Sequence, residues 1–336
     1  MDFKGRKVLV VGGAGYVGSV LTTLLLDAGA EVRVLDQLIY DNGFALQHLL
    51  DNVRLSFVRG DMSDPATFAR AAAGMNDVVL LASLVGDPIC KKYSDLATRV
   101  NQRAAMRIID SLDVFGIKRF VFASTCSNYG IHDPATLAAE TAELNPQSLY
   151  AKTKIEVEHH LIDVSRSSNF VGTVLRVATA YGFSPRMRFD LTVSQFAWEL
   201  AASGKPLLVY DADTWRPYCH VRDISKGIMT VLTQPADRVR CEVFNVGDES
   251  QHFTKRMLVE EIQKHVNGTQ VEYRSGDTDP RNYRVAFAKI ASRLGFACDH
   301  TVQRYLPAVT AAVQAGVFPD VHGNTRYGNY EVKHLA

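Results

Sequence analysis

Tyr150 and Lys154 stand four residues apart in Tyr150-Ala151-Lys152-Thr153-Lys154. On a helix an i, i+4 pair shares one face, so a phenol and an ammonium can enter the same cleft. The ammonium favours phenolate and draws the tyrosine pKa towards working pH. Such a tyrosine can accept a proton from a hydroxyl as hydride leaves for a nicotinamide. The spacing alone is common by chance. It is sharpened by Ser124-Thr125-Cys126-Ser127-Asn128-Tyr129-Gly130, which directly follows an apolar run at Arg119–Ala123. In a parallel sheet that is where an active site belongs.

A second constellation is Gly12-Gly13-Ala14-Gly15-Tyr16-Val17-Gly18, after a strand-like run and opening a helical one. Gly12 permits a tight turn, Gly15 lets backbone approach a pyrophosphate, and Gly18 lets helix and strand pack closely. The helix N-terminus offers free N–H groups to phosphate. Asp36 follows a second strand at the distance of a ribose-binding acid. Its carboxylate accepts from ribose hydroxyls and repels a 2′-phosphate, which favours NAD over NADP. Asp61-Met62 reads as an adenine-edge contact or as a plain turn.

These residues need a scaffold, and the chain alternates strands and helices. Strands are expected at Lys7–Val11, Glu31–Leu35, Val53–Val58, Val78–Ala82, Arg119–Ala123 and Val171–Arg176. Helices are expected at Gly15–Ala28, about Leu96–Phe115 and about Tyr150–Ser167. This is the pattern of an α/β, Rossmann-like, doubly wound parallel sheet. Beyond residue 179 it is less regular, with helices near Phe189–Ala202, Thr254–Val266 and Thr301–Ala315 and short strands such as Leu207–Tyr210. The expected organisation is a dinucleotide domain over 1–178 and a smaller α/β substrate lobe over 179–336. His220–Leu232 and Val243–Val246 are placed to return to the first sheet.

Composition narrows the class. The chain has 336 residues, 37 Lys+Arg against 36 Asp+Glu, 47% hydrophobic and 22% charged residues. That is an ordinary globular balance with no basic excess for a broad nucleic-acid surface. No apolar run reaches the length of a membrane span and no signal-peptide pattern opens the chain, so a cytoplasmic protein is expected. Cys90, Cys126, Cys219, Cys241 and Cys298 are scattered without ligand spacing, which argues against a disulfide framework or a zinc site.

Taken in order, the glycine segment, Asp36, Asn101, the Ser124–Gly130 segment, the Tyr150–Lys154 pair and Arg216-Pro217-Tyr218-Cys219-His220-Val221-Arg222-Asp223 resemble the extended short-chain dehydrogenase/reductase family of NAD-dependent nucleotide-sugar epimerases and dehydratases. The resemblance covers essentially the whole chain. It implies tightly held NAD, a nucleoside-diphosphate sugar in the C-terminal lobe, and a homodimer formed through the helices near 96–115 and 150–167. By resemblance, Tyr150 is the general base, Thr125 the catalytic hydroxyl and Lys154 the lysine that holds nicotinamide ribose. Asn101 stands beside the cofactor, with Gly12, Gly15, Tyr16, Val17, Asp61, Met62, Leu81, Ala82 and Ser83 around it. Arg216, and by a weaker match Arg281, bind substrate diphosphate. Val85, Ser127, Thr179, Arg188 and Tyr210 border the sugar nucleotide. Read without the family, Arg216 is equally a surface cation, and Arg186 and Arg188 are equally exposed charges.

The departures set limits. The 4,6-dehydratases of that family carry Asp-Glu after the catalytic threonine, whereas Cys126-Ser127 stands here. Cys126 could act as an acid or be a small packed thiol. The epimerase lysine after the fourth strand is absent, Val85-Gly86-Asp87 taking its place, and Thr179 replaces the epimerase asparagine. The expected activity is therefore oxidation at C4 of the sugar, by a 4-epimerase or 4-dehydrogenase. The alternatives are a 3,5-epimerase or reductase of a 4-keto sugar using Cys126, and a non-catalytic NAD-binding regulator.

Overall fold

The sheet's two faces are written into its first strand. In β1 (Lys7–Val11), Val8 and Val10 enter one core while Leu9 and Val11 enter the other. Side chains of a strand alternate faces, so a run apolar at every position must be covered on both. The computed structural model describes residues 1–276, 281–321 and 323–333. It places β1 in a parallel sheet with β2 (Glu31–Asp36), β3 (Leu55–Arg59), β4 (Asp77–Leu80), β5 (Arg119–Thr125) and β6 (Val171–Val177). After β7 (Thr179–Tyr181), β8 (Leu207–Tyr210) and β9 (Trp215–His220), β10 (Glu242–Val246) returns to pair with β6. The order is β3-β2-β1-β4-β5-β6-β10. Strand order reverses between β1 and β4, and a crevice opens there at the carboxyl ends.

The helix Tyr16–Asp27 lies against Val221–Thr233 on one face, and Pro65–Ala72, Ala105–Ser111 and Leu149–Ser165 contribute to the core of the other. Beyond the sheet, β9 pairs with β7 and with β11 (His252–Thr254), and β8 pairs with β12 (Val271–Arg274). The helices Thr192–Ala202, Lys255–Gln263 and Val302–Gln314 share a third core with these strands. Tyr16 and Val20 of the first helix enter that third core as well. Among the described residues no helix is long and apolar enough to cross a membrane.

Three expected elements differ in ways that matter for the site. The third strand begins at Leu55 rather than Val53, because Asn52 folds the chain into a turn, accepting from Arg54 N on its side chain and from Leu55 N on its carbonyl. The fourth ends at Leu80, since the N–H groups of Leu81 and Ala82 both turn to the Val11 carbonyl, at 2.9 and 2.8 Å. The helix expected over Leu96–Phe115 is broken into Ser94–Ala97, a wide π-type turn over Thr98–Ala104, and Ala105–Ser111. Such wide turns recur at functional positions, and this one carries Asn101.

Candidate active site

A cleft of about 620 Å³ runs along the carboxyl ends of the strands. At one end it is bordered by Gly12, Gly15, Tyr16 and Val17, by Asp36, and by Asp61 and Met62. Gly12 has φ of +90°, and a Cβ there would stand 2.6 Å from Ala82 N. A Cβ on Gly18 would stand 2.7 Å from Gly13 Cα. Only glycine permits this close approach of the loop, the helix and the segment after β4. Gly15 caps the Tyr16–Asp27 helix with no side-chain bond, which leaves the first-turn N–H groups to a ligand.

Asp36 accepts from Ala14 N at 3.0 Å and from Leu38 N at 2.9 Å on different oxygens, and the Asn42 side chain bonds it as well. A carboxylate has about four lone-pair sites, so it keeps acceptor capacity, and Asp36 lines the cleft. Burial pushes the carboxyl pKa up, and the two backbone N–H groups, the Arg186 charge and the Asn42 amide oppose that shift. Asp61 closes a short turn, accepting from Ser63 N at 2.7 Å, and also lines the cleft; the turn and the contact coexist. A glycine cradle that a side chain would fill, facing an acid with spare lone pairs, fits a dinucleotide.

At the centre stand Thr125 from the end of β5 and Tyr150 and Lys154 from the Leu149–Ser165 helix. Ser148 caps that helix by accepting from Ala151 N. Lys154 Nζ lies 5.7 Å from the Tyr150 ring centroid and 4.6 Å from that of Phe122, and donates to the Ala123 carbonyl at 2.8 Å. Burial drives the Lys154 pKa down to about 8. Burial likewise drives the Tyr150 phenol up, so its ionisation depends on neighbouring positive charge. Thr125 Oγ1 accepts from Ser127 N at 3.1 Å, which fixes the rotor at the cleft wall.

Beneath this centre lies a buried network that the sequence reading passed over. Glu158, one turn beyond Lys154, receives Arg176 Nη2 at 2.7 Å, Asn128 Nδ2 at 2.7 Å and the Ser124 hydroxyl. Arg176 in turn donates to Tyr129 Oη at 3.1 Å. The signal was present: Tyr150, Lys154 and Glu158 form an i, i+4, i+8 stripe.

The far end carries Arg281 and Arg216. Arg281 pairs with Asp87 at 3.1 Å and donates to Ser127 Oγ at 3.2 Å. Asp279 and Pro280 of its motif lie outside the described residues. Arg216 sits over the Tyr283 ring at 5.2 Å and is only 6% exposed, so it is no surface cation. Arg188 is buried and clamped by Asp190 at 2.9 and 2.6 Å; it and Arg186 line the cleft rather than stand exposed. Leu81, Ala82, Ser83, Val85, Ser127 and Thr179 also line it. Tyr218 and Asp87, from segments already quoted, join them, as do Lys255, Asn329 and Tyr330, which no prior motif marked.

Three residues do not reach the wall of the cleft. Cys126 is 1% exposed, packs in the core under β5 and β6, and donates to the Arg176 carbonyl at 3.2 Å. Burial pushes its thiol pKa up. It is a packed thiol that does not border the cleft. Asn101 is buried and spends its amide on Leu84, accepting from its N–H at 2.8 Å and donating to its carbonyl at 3.0 Å. It holds the loop that borders the cofactor end and does not itself border it. Tyr210 stands outside, but its carbonyl receives Lys255 Nζ at 2.7 Å, and so sets a cation that does line the cleft.

A glycine cradle, a buried acid at the end of β2 and a Tyr–Lys pair on one doubly wound sheet are the features of the short-chain dehydrogenase/reductase class. The chain belongs to the NAD dependent epimerase/dehydratase family, whose model matches residues 8–247. It is therefore an NAD-dependent enzyme. It is 26% identical over 312 residues to a UDP-glucose 4-epimerase of Corynebacterium glutamicum, covering 88% of this chain and 92% of that one. It is 26% identical over 333 residues to UDP-glucuronic acid decarboxylase 2 of Arabidopsis thaliana, covering 94% and 70%. Among solved structures, MoeE5 in complex with UDP-glucuronic acid and NAD superposes with a TM-score of 0.80 at 25% identity, covering 93% of this chain and 100% of that one.

Proposed function

We propose that this enzyme oxidises C4 of a nucleoside-diphosphate sugar to a 4-keto intermediate, and either returns the hydride to C4 as a 4-epimerase or leaves it on the cofactor as a 4-dehydrogenase. The observation that carries this reading is that Thr125, Tyr150 and Lys154 line one cleft together with Gly12, Gly15 and Asp36 and with Arg216 and Arg281. Bound NAD supplies the hydride acceptor. Tyr150 takes the hydroxyl proton, Thr125 holds the same oxygen, and Lys154 holds ribose and favours phenolate. Arg216 and Arg281 hold the substrate diphosphate, for which guanidinium geometry suits.

The burial of Cys126 supports chemistry confined to C4. Loss of water across C5–C6, or epimerisation at C3 and C5, needs an acid or base at the ring. Cys126 is bonded away from the cleft, and Ser127 has no useful basicity near neutral pH. The test is incubation with UDP-, GDP-, CDP- and dTDP-sugars in deuterated water, read by product mass and by absorbance of reduced nicotinamide. The expected product is an epimer or a 4-ketone that keeps all its oxygens, with C5 unlabelled. A product lighter by water or by carbon dioxide, or deuterium at C5, overturns the assignment.

A further inference from the structure

Arg186 is 2% exposed, yet it forms no ion pair with any described carboxylate. Its polar partners are neutral: Asn329 Oδ1 at 2.8 Å and the Gly328 carbonyl at 3.4 Å. Its Nε has no hydrogen-bond partner among the described residues. Two positions along, Arg188 is fully matched by Asp190. A buried guanidinium is costly unless a negative charge meets it, and Arg186 borders the cleft. Asp190 and Asp36 act on its charge from a distance, but neither is bonded to it, so the guanidinium keeps donor capacity for an anion supplied by a ligand.

Its surroundings say which part of the cleft that anion occupies. Arg186 lies 4.8 Å from the Tyr40 ring, in the loop that follows Asp36. Its backbone N–H donates to Ser184 Oγ, which itself donates to the Tyr16 carbonyl at the start of the first helix. Arg186 thus stands at the glycine-cradle end, whereas Arg216 and Arg281 stand by Tyr283 and Ser127 at the other. The C-terminal segment holds it there. Asn329 accepts from Arg186, donates through its backbone to Asp190 at 3.1 Å, and donates through its amide to the Val85 carbonyl at 3.1 Å. Further on, Lys333 N donates to the Ile39 carbonyl at 2.9 Å, and Lys333 Nζ meets Asp41 at 2.9 Å. The segment therefore ties the loops after β2 and β4 together.

We propose that Arg186, positioned by Asn329 of a C-terminal strap, is the counter-cation for the diphosphate of the bound dinucleotide. This rests on the cofactor reading of the cleft, and the two fail differently. Cofactor-stripped protein is titrated calorimetrically with NAD, ADP-ribose, adenosine and UDP, for wild type, Arg186→Met, Arg186→Lys and Asn329→Ala. Arg186→Met should weaken NAD and ADP-ribose about ten- to a hundredfold, as for one charge-assisted bond, and leave adenosine and UDP unchanged. Arg186→Lys should recover part of the loss. Unchanged NAD affinity, an equal loss for adenosine, or a loss confined to UDP overturns the proposal. If Arg186→Met does not fold, Asn329→Ala decides alone: weaker NAD with unchanged UDP supports the strap, and unchanged NAD overturns it. A wild type that binds no NAD instead refutes the cofactor reading of the cleft.

Discussion

A phenol in an apolar wall resists ionisation, and Tyr150 is such a phenol. Its proposed use as a base depends on cationic neighbours: Arg188 and Arg281 oppose the upward shift, and Lys154 stands on its own helix. Tyr150→Phe keeps the ring and its packing but removes the proton acceptor. Turnover should fall by about 10²–10⁴, the usual worth of a general base, while NAD binding stays near wild type by calorimetry. A fall of less than about tenfold on that scale would remove Tyr150 from the role. Lys154 carries a second prediction. Its folded pKa is near 8 against an ordinary 10.5. Between those values the unfolded chain holds more protons than the folded one, so stability rises with pH across that window. Urea unfolding of cofactor-free protein at about pH 7.5 and about pH 9.5 should show a larger gain for wild type than for Lys154→Met. Equal gains would mean that the lysine keeps its ordinary proton affinity.

The helix Leu149–Ser165 carries these groups, and its third polar turn fixes where they stand. Glu158 and Arg176 are 2% and 6% exposed at the side chain and are 2.7 Å apart. Removing one partner of a buried pair leaves the other charge stranded, at a cost of about 3–5 kcal/mol. Glu158→Ala should lower the unfolding free energy by about that amount, with Glu158→Gln intermediate because it still accepts from Arg176. A loss under about 1 kcal/mol, the scale of exposed pairs, would show that the network is not a keystone of the helix. Much of this element was legible beforehand: the Tyr–Lys spacing and the apolar strands on either side are local features. Glu158 lay in the same stripe and was passed over because its partner Arg176 comes from β6, and only the fold brings the two together. The same limit explains Asn101 and Cys126. Their residue types suited a site, but their side chains turn to Leu84 and to the Arg176 carbonyl, contacts that no local pattern encodes. The C-terminal Asn329 and Tyr330 carried no signal at all, since an irregular segment reveals its place only by what it crosses.

At the scale of the molecule, the two expected regions are interleaved. The return of β10 and of the Val221–Thr233 helix to the first sheet means that residues beyond 178 complete its edge and cover one face. Tyr16, inside the dinucleotide motif, donates to the Gly182 carbonyl at 2.6 Å and is buried in the core of the other half. The glycine cradle therefore rests on both halves, and so does the C-terminal strap. Local stability in separate halves would require separate cores, and the third core here includes residues of the first helix. We expect one cooperative unfolding transition, which NAD shifts as a whole. At about a hundredfold excess over Kd, ligand linkage adds about 2.7 kcal/mol. With an unfolding entropy of about 2.1 cal/mol/K per residue, that raises Tm by about 4 °C for a chain of this length. Calorimetry with and without NAD checks it. Two resolved transitions, of which NAD moves only the one assigned to residues 1–178, would show that the halves fold apart and that the shared helix transmits nothing between them. A single transition displaced intact would mean that filling the cradle tightens the sugar end as well, since Tyr16 leaves the cofactor loop and the lobe no independent way to move.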